Sequence, residues 1–367
     1  MVTSLYDLFN ILTIMNSRTK LSIYQLFCFL MISYLSFAQS KFDSILKDPK
    51  RGITHKLKLK FSDTLGNNTT LPVLIIKGKE RGEVFTILAG VHGAEYAPII
   101  ATQELIRELK LEELTGTIII LPITNIGSFY TKTPYINPLD NKNINRIFPG
   151  KKDGTVSEKI VNFISSELIP ISDIFLDVHS GDASEDLLPF VCYYDNKKFP
   201  KQTEITKELS EYSGFENVVS YSYTIKEDEP AQYAFKQACQ AGKIALSFES
   251  GKLGYLQPEA VKRIKQGFYR IFKKLEMYNL KNSIGKVKFQ RLDRQIYIDS
   301  PAKGIFYSKF KAGSKVLKGE IIGHITDEFG ETIKKIASPK TGVILYMKGT
   351  PPTKNGSRLF CISSYKS

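Results

Sequence analysis

Apolar positions along the chain fall into strand-like and helix-like runs. Lys56 to Phe61 and Leu71 to Lys77 read as strands, with turn chemistry in Leu65-Gly66-Asn67-Asn68 between them. Val84 to Ala89 is a short apolar run that opens into Gly90-Val91-His92-Gly93. From Pro98 to Lys110, Ile99, Ile100, Leu105, Ile106 and Leu109 recur at helical spacing. Thr117 to Pro122 is strand-like again. Asn125 to Gly154, rich in Asn, Pro and Gly, reads as a long structured loop, and loops of that length inside a domain are usually functional or disordered. Ser157 starts a helix that turns Ile160, Val161, Phe163, Ile164 and Leu168 inward. Asp173 to Val178 predicts a buried strand ending at His179, and Ile244 to Phe248 another ending at Glu249. Helices are predicted over Glu204 to Tyr212, Gln232 to Ala241 and Pro258 to Tyr278.

Strands alternating with helices predict an α/β domain, a mixed and mostly parallel sheet flanked by helices. Past Gly285 the texture changes. Short β-type runs at Gln295 to Ile298, Gly304 to Tyr307, Glu320 to Ile325, Glu331 to Ile336 and Gly342 to Tyr346 are separated by glycines, and no helical period appears. They predict a small C-terminal all-β barrel or sandwich domain over residues 286–367, after a catalytic domain over residues 39–285.

The N-terminus has a different character. Arg18 and Lys20 precede an uncharged apolar run from Leu21 to Phe37, followed by Ser36-Phe37-Ala38 and Gln39. Basic region, apolar region and small-x-small site together predict a signal peptide over residues 1–38, cleaved after Ala38. The run sits near the lower limit of about 17 residues for a spanning helix, so an exported protein is expected rather than a membrane-inserted one. Beyond residue 38 the cysteines are Cys192, Cys239 and Cys361, an odd set whose spacings suit neither a zinc knuckle nor a disulfide framework.

Of 367 residues, 42% are hydrophobic and 24% charged, which excludes wholesale disorder and a polytopic membrane protein. The formal charge is +14. A nucleic-acid partner is not expected, because the lysines are scattered and no recognition motif accompanies them. The basic surface reads as solvated, and it suits anionic substrates or envelope polymers.

Chemistry concentrates where strands end. His92 and Glu95 follow one strand, His179 ends a second and Glu249 a third; in open α/β sheets, ligands bind beyond the carboxyl ends of strands. His92, Glu95 and His179 make a His₂Glu set, one of the catalytic zinc sets, in which three protein ligands leave a position for water. Glu249, outside that set, is the candidate to take the water's proton and pass it to a leaving amine. Asp177, on the same side of its strand as His179, is placed to orient that ring. The alternatives are a His92 that caps the following helix and a His179 satisfied within the core. Asn145 and Arg146 lie side by side in the long loop, a pair able to clamp a carboxylate. His55 and His324 lie outside this constellation.

Four ordered motifs carry a family likeness: Gly90-Val91-His92-Gly93-Ala94-Glu95, then Asn143-Ile144-Asn145-Arg146-Ile147-Phe148-Pro149-Gly150, then Leu176-Asp177-Val178-His179-Ser180-Gly181, then Phe248-Glu249. In these the chain resembles the succinylglutamate desuccinylase/aspartoacylase family, relatives of zinc carboxypeptidases. The resemblance implies a zinc carboxypeptidase-like fold and a Zn2+-dependent hydrolase of acyl–nitrogen bonds. It implies His92, Glu95 and His179 as metal ligands, Glu249 as the catalytic glutamate, and Asn145 with Arg146 as the holders of a substrate carboxylate. Many members also carry an arginine upstream of the Asn-Arg pair. Between Asn125 and Asn145 this chain has none, and Lys132 is the candidate substitute.

The expectation is an exported, periplasmic or secreted zinc deacylase. Its substrate would be an N-acyl amino acid, or another small molecule or peptide bearing a carboxylate. The alternatives are a carboxypeptidase or amidase acting on cell-wall peptides, and a non-catalytic binding module.

Overall fold

The computed structural model describes residues 42–280, 285 and 287–366; the signal peptide expected over residues 1–38 lies outside them. The chain divides into two units, Met1–Pro49 and Lys50–Ser367.

The second unit is organised around one twisted sheet. Its main strands are β1 (Ile53–Ser62), β2 (Asn68–Lys77), β3 (Glu80–Ala89), β4 (Thr115–Leu121), β5 (Ile174–His179), β6 (Phe190–Asp195), β7 (Asn217–Ser222), β8 (Ile244–Glu249), β9 (Gln290–Asp299), β10 (Gly342–Lys348) and β11 (Arg358–Tyr365). Their spatial order is β1-β2-β4-β3-β5-β8-β6-β7-β9-β11-β10. The centre, β4-β3-β5-β8, is parallel throughout. β6 runs antiparallel to β8 and parallel to β7, and β1-β2 is an antiparallel hairpin at the edge. On that edge Leu57 and Leu59 point inward while Lys56, Lys58 and Lys60 are exposed. Lysines on an outer strand discourage pairing with another chain.

The helices are α1 (Tyr96–Glu108), α2 (Ile126–Thr131), α3 (Val156–Phe163), α4 (Pro200–Tyr212), α5 (Ala234–Gln240) and α6 (Pro258–Lys274). α6 begins with proline at its first position and carries Lys273 and Lys274 in its last turn, both favourable placements. Its buried face, Val261, Ile264, Phe268, Ile271 and Phe272, packs into the same core as Ile87, Leu176 and Leu246 of the central strands. α6 stops before the predicted Tyr278. Glu276 turns into the left-handed region (φ 56°), and Met277 then gives its carbonyl to the Thr115 amide.

Beyond residue 285 the strands join the same sheet. β9 pairs in parallel with β7 and antiparallel with β11, and β11 pairs with β10. A second, four-stranded sheet of Gly304–Tyr307, Ile321–Thr326, Thr332–Ala337 and Pro352–Thr353 stacks on these strands through Phe306, Ile322, Ile325, Ile344, Leu359 and Phe360. The fold is thus the mixed, mostly parallel α/β sheet with C-terminal β strands that the hydrophobic pattern predicts. β6 and β7 were not marked by that pattern. Their short apolar runs lack a period of two, and a run of that length reads equally as a buried helix segment.

Candidate active site

Three adjacent parallel strands, β3, β5 and β8, deliver their C-terminal ends to one place. His179 is the last residue of β5 and stands in register with Glu249, the last residue of β8. His92 and Glu95 follow β3 in a tight loop that leads into α1. The loop depends on its glycines. Gly90 has φ +62°, and a Cβ on Gly93 would lie 2.3 Å from the Phe129 amide nitrogen, so no larger residue fits there. Gly93 instead donates its N–H to the Ser128 hydroxyl at 3.1 Å, fixing the loop against α2. On the other side, a Cβ on Gly267 of α6 would lie 2.5 Å from the Phe248 ring. Its absence lets α6 lie flat behind Phe248 and so behind Glu249.

The donor atoms converge. His92 Nδ1 is 2.6 Å from Glu95 Oε1, and His179 Nδ1 is 2.9 Å from Glu95 Oε2. One ligand atom from each of His92, Glu95 and His179 lies within 4.8 Å of the others. The far ring nitrogens face acceptors: His92 Nε2 is 3.2 Å from Asn143 Oδ1, and His179 Nε2 is 3.0 Å from Asp177 Oδ1. Asp177 is fully buried, and among the described residues neither of its oxygens has a well-formed hydrogen bond, the ion-pair contact with His179 being the close polar neighbour. A buried carboxylate so placed is tolerable only if Nε2 carries the proton. That tautomer leaves the Nδ1 lone pair for a cation, the usual arrangement of a ligating histidine and its orienting carboxylate. The donor set therefore fits a zinc ion held by the Nδ1 atoms of His92 and His179 and the carboxylate of Glu95.

Electrostatics favour a cation as well. Burial alone would raise the Glu95 carboxyl, but the two imidazoles overcome it and bring it down to about 2. Burial works against the charged form of His179, yet Asp177 and Glu95 carry its pKa well above the usual histidine range. Protons fill the place that an ion would take. Burial pushes the Glu249 carboxyl up to about 8, against His179 and with Glu95 and Asp177 adding to the rise. A carboxylate with raised basicity beside a reacting centre suits proton transfer near neutral pH.

His92, Glu95, His179 and Glu249 line one cavity of about 490 Å3, together with Asn145, Arg146 and a wall of tyrosines. Asn145 is buried and held, its Oδ1 accepting from the Ala234 amide at 3.0 Å while its Nδ2 lies 3.4 Å from His179 Nε2. Arg146 donates to the Asn145 carbonyl at 2.6 Å, and its guanidinium sits 4.8 Å from the Tyr233 ring centroid. Stacking and this hydrogen bond hold the guanidinium of Arg146 at the cavity lining.

The structure thus brings His92, Glu95, His179, Glu249, Asn145 and Arg146 together. It does not bring Lys132. That residue caps α2 in the left-handed conformation, is exposed, and does not line the cavity, so it is not placed to stabilise an oxyanion. The residues that sequence reasoning missed are Asn143, Glu185 and the tyrosines of the far wall. Asn143 lies in the same motif as Asn145. The tyrosines come from β6, β7, β9 and β10, whose meeting at one cavity is a product of topology and leaves no local pattern.

A family profile, the succinylglutamate desuccinylase/aspartoacylase catalytic domain, matches residues 81–275. The chain is 26% identical over 283 residues to the N-alpha-acetyl-L-2,4-diaminobutyric acid deacetylase of Halomonas elongata, covering 75% of this chain and 80% of that one. Among solved structures, a succinylglutamate desuccinylase/aspartoacylase from Rhodobacter sphaeroides superposes with a TM-score of 0.76 at 22% identity, over 86% of this chain and 96% of that one. The product-bound ectoine utilization protein EutE (DoeB) of Ruegeria pomeroyi gives 0.75 at 22% identity, over 85% and 94%.

Proposed function

This chain belongs to the succinylglutamate desuccinylase/aspartoacylase family, and from that premise we propose that it is an exported, zinc-dependent deacylase cleaving the amide bond of an N-acyl amino acid. The observation that carries the reading is the convergence of His92, Glu95 and His179 beside Glu249, with Asn145 and Arg146 in the same cavity. His92, Glu95 and His179 would hold a zinc ion, which would supply Lewis acidity toward water and the scissile carbonyl. The protein's own residues do the rest. Glu249 takes the proton of the attacking water and returns it to the amine nitrogen as the C–N bond breaks. Arg146, steadied by Tyr233, and Asn145, steadied by Ala234, hold the substrate carboxylate so that the amide lies over the ligand set. Asp177 and Asn143 keep the two imidazoles in the ligating tautomer.

The N-acyl amino acid reading has support in the Halomonas elongata relative, which by its name acts on an N-acetylated diamino acid. Export rests on the N-terminal pattern of a basic region, an apolar run and a small-x-small site. The test is Glu249→Gln. It should retain metal and lose turnover of an N-acetyl amino acid by about 10²–10⁴-fold, the scale of a lost general base. Turnover within a few-fold of wild type would remove Glu249 from the mechanism.

A further inference from the structure

The cavity is electrically lopsided. On one side the chain's own cations cover the aromatic faces. Arg146 stacks on Tyr233, and the Lys236 Nζ lies 5.5 Å from the Tyr194 centroid and 5.8 Å from that of Tyr233. On the far wall, Tyr297 of β9 has the Arg358 guanidinium 4.2 Å from its centroid. Tyr221 of β7 and Tyr346 of β10 stack with no cation among the described residues. They are close enough to act on each other electrostatically, and burial pushes both phenols well above their usual range, so both stay neutral.

Beside this pair lies Glu185, on the short strand Glu185–Leu187 that pairs antiparallel with β10. Glu185 lines the cavity, and no hydrogen bond or ion pair reaches its side chain among the described residues. Lys348 stands opposite it in the ladder without forming an ion pair. The nearby acid Asp182 differs, because its carboxylate already accepts from the Ser184 amide and hydroxyl at 2.7 and 2.9 Å. Burial first, and then the like charges of Glu249, Asp182 and Glu95 against that of His179, hold the Glu185 carboxyl well above its usual range, so a cation beside it would relieve an unfavourable burial. A carboxyl group without a hydrogen-bond partner among the described residues, in one cavity with two aromatic rings that carry no cation, is a place for a cation.

We propose that Glu185, with the rings of Tyr221 and Tyr346, forms a subsite for a positively charged amine on the substrate, so that the enzyme selects N-acyl derivatives of diamino acids. This rests on the deacylase reading and deepens it: Arg146 and Asn145 take the carboxylate at one end, and Glu185 takes the side-chain ammonium at the other. The subsite is specificity-determining rather than catalytic, and β10 of the C-terminal strands builds part of it.

The test compares two isosteres, L-ornithine and L-norleucine, which differ by an ammonium in place of a methyl group. Titration calorimetry on the zinc-loaded mature chain should show ornithine binding at least about tenfold tighter. In Glu185→Gln the preference should fall to within about twofold, and in Tyr346→Leu it should fall by several-fold. Equal binding in wild type, a preference for norleucine, no binding of either, or a preference that survives Glu185→Gln would each overturn the proposal. A companion assay follows hydrolysis of the two N-acetyl derivatives. Selective ornithine binding without hydrolysis of either would sustain the subsite and refute the deacylase reading. Hydrolysis of both at equal kcat/KM, with equal binding, would do the reverse.

Discussion

Asp177 has no exposed surface, and among the described residues the one ion pair of its carboxylate is with the His179 ring, at 3.0 Å. Its role follows from that isolation: it fixes which nitrogen of His179 carries the proton. Asp177→Asn is isosteric and keeps the packing, yet it no longer favours the Nε2–H tautomer. Zinc affinity, measured by competition with a chromophoric chelator, should fall about 10–100-fold, the usual cost of losing such a partner. Unchanged affinity would mean that His179 is oriented by packing alone. At this scale the sequence was informative where chemistry is local. His92 and Glu95 sit three apart in one loop, and Asp177 and His179 two apart on one strand. It was uninformative for Lys132, whose nearness along the chain to Asn145 says nothing of direction. The left-handed cap at the end of α2 leaves that residue outside the cavity.

Elements hold these residues through polar ties that hydrophobic period does not record. The long segment before α3 looked like a loop because it lacks apolar periodicity. In the structure it contains α2 and a two-stranded ribbon, Ile136–Asn137 with Lys142–Asn143, pinned by side-chain bonds. Asp140 accepts from the Ser157 amide and hydroxyl, both at 2.9 Å, and Asn137 donates to Ser157 at 2.9 Å. Asp63, in the turn between β1 and β2, accepts from the Leu65 and Asn67 amides at 3.0 Å and from the Val156 amide at 3.3 Å. That last bond ties the hairpin to the start of α3. Burial would raise the Asp63 carboxyl, but the Asn67 side-chain amide, donating at 3.0 Å, and these backbone bonds outweigh it and the pKa is lowered. With a folded value below the unfolded one, its contribution is complete above the ordinary aspartate pKa of about 3.9. It is lost as pH falls through the folded value. Asp63→Asn should therefore cost about 1–2 kcal/mol at pH 7. The difference from wild type in denaturant midpoints should shrink toward pH 3, and a difference independent of pH would show that shape rather than charge is at work.

Across the whole molecule, the C-terminal strands are part of the site's architecture. β9 covers the edge of β7, and β9 and β10 bring Tyr297 and Tyr346 to the cavity wall. A chain ending at residue 285 would expose β7 as an open edge and leave the core residues Val219 and Cys192 without Leu292, Leu345 and Cys361. It should be insoluble or aggregate on purification. A soluble, fully active truncation, judged by size-exclusion chromatography and turnover, would show that the strands are dispensable. The change of texture after Gly285 was legible because glycine-spaced β runs differ from α/β alternation. Continuity of one sheet across it was not, because parallel pairing of β9 with β7 joins residues about 70 positions apart with no local mark.

The proposed chemistry depends on a metal site formed by His92, Glu95 and His179. It is tested most directly by zinc content per chain, by elemental analysis of the mature protein beside His179→Ala after both are supplied with zinc and desalted. About one zinc per wild-type chain and almost none in the variant are expected. No zinc in wild type, or equal zinc in both, would contradict it.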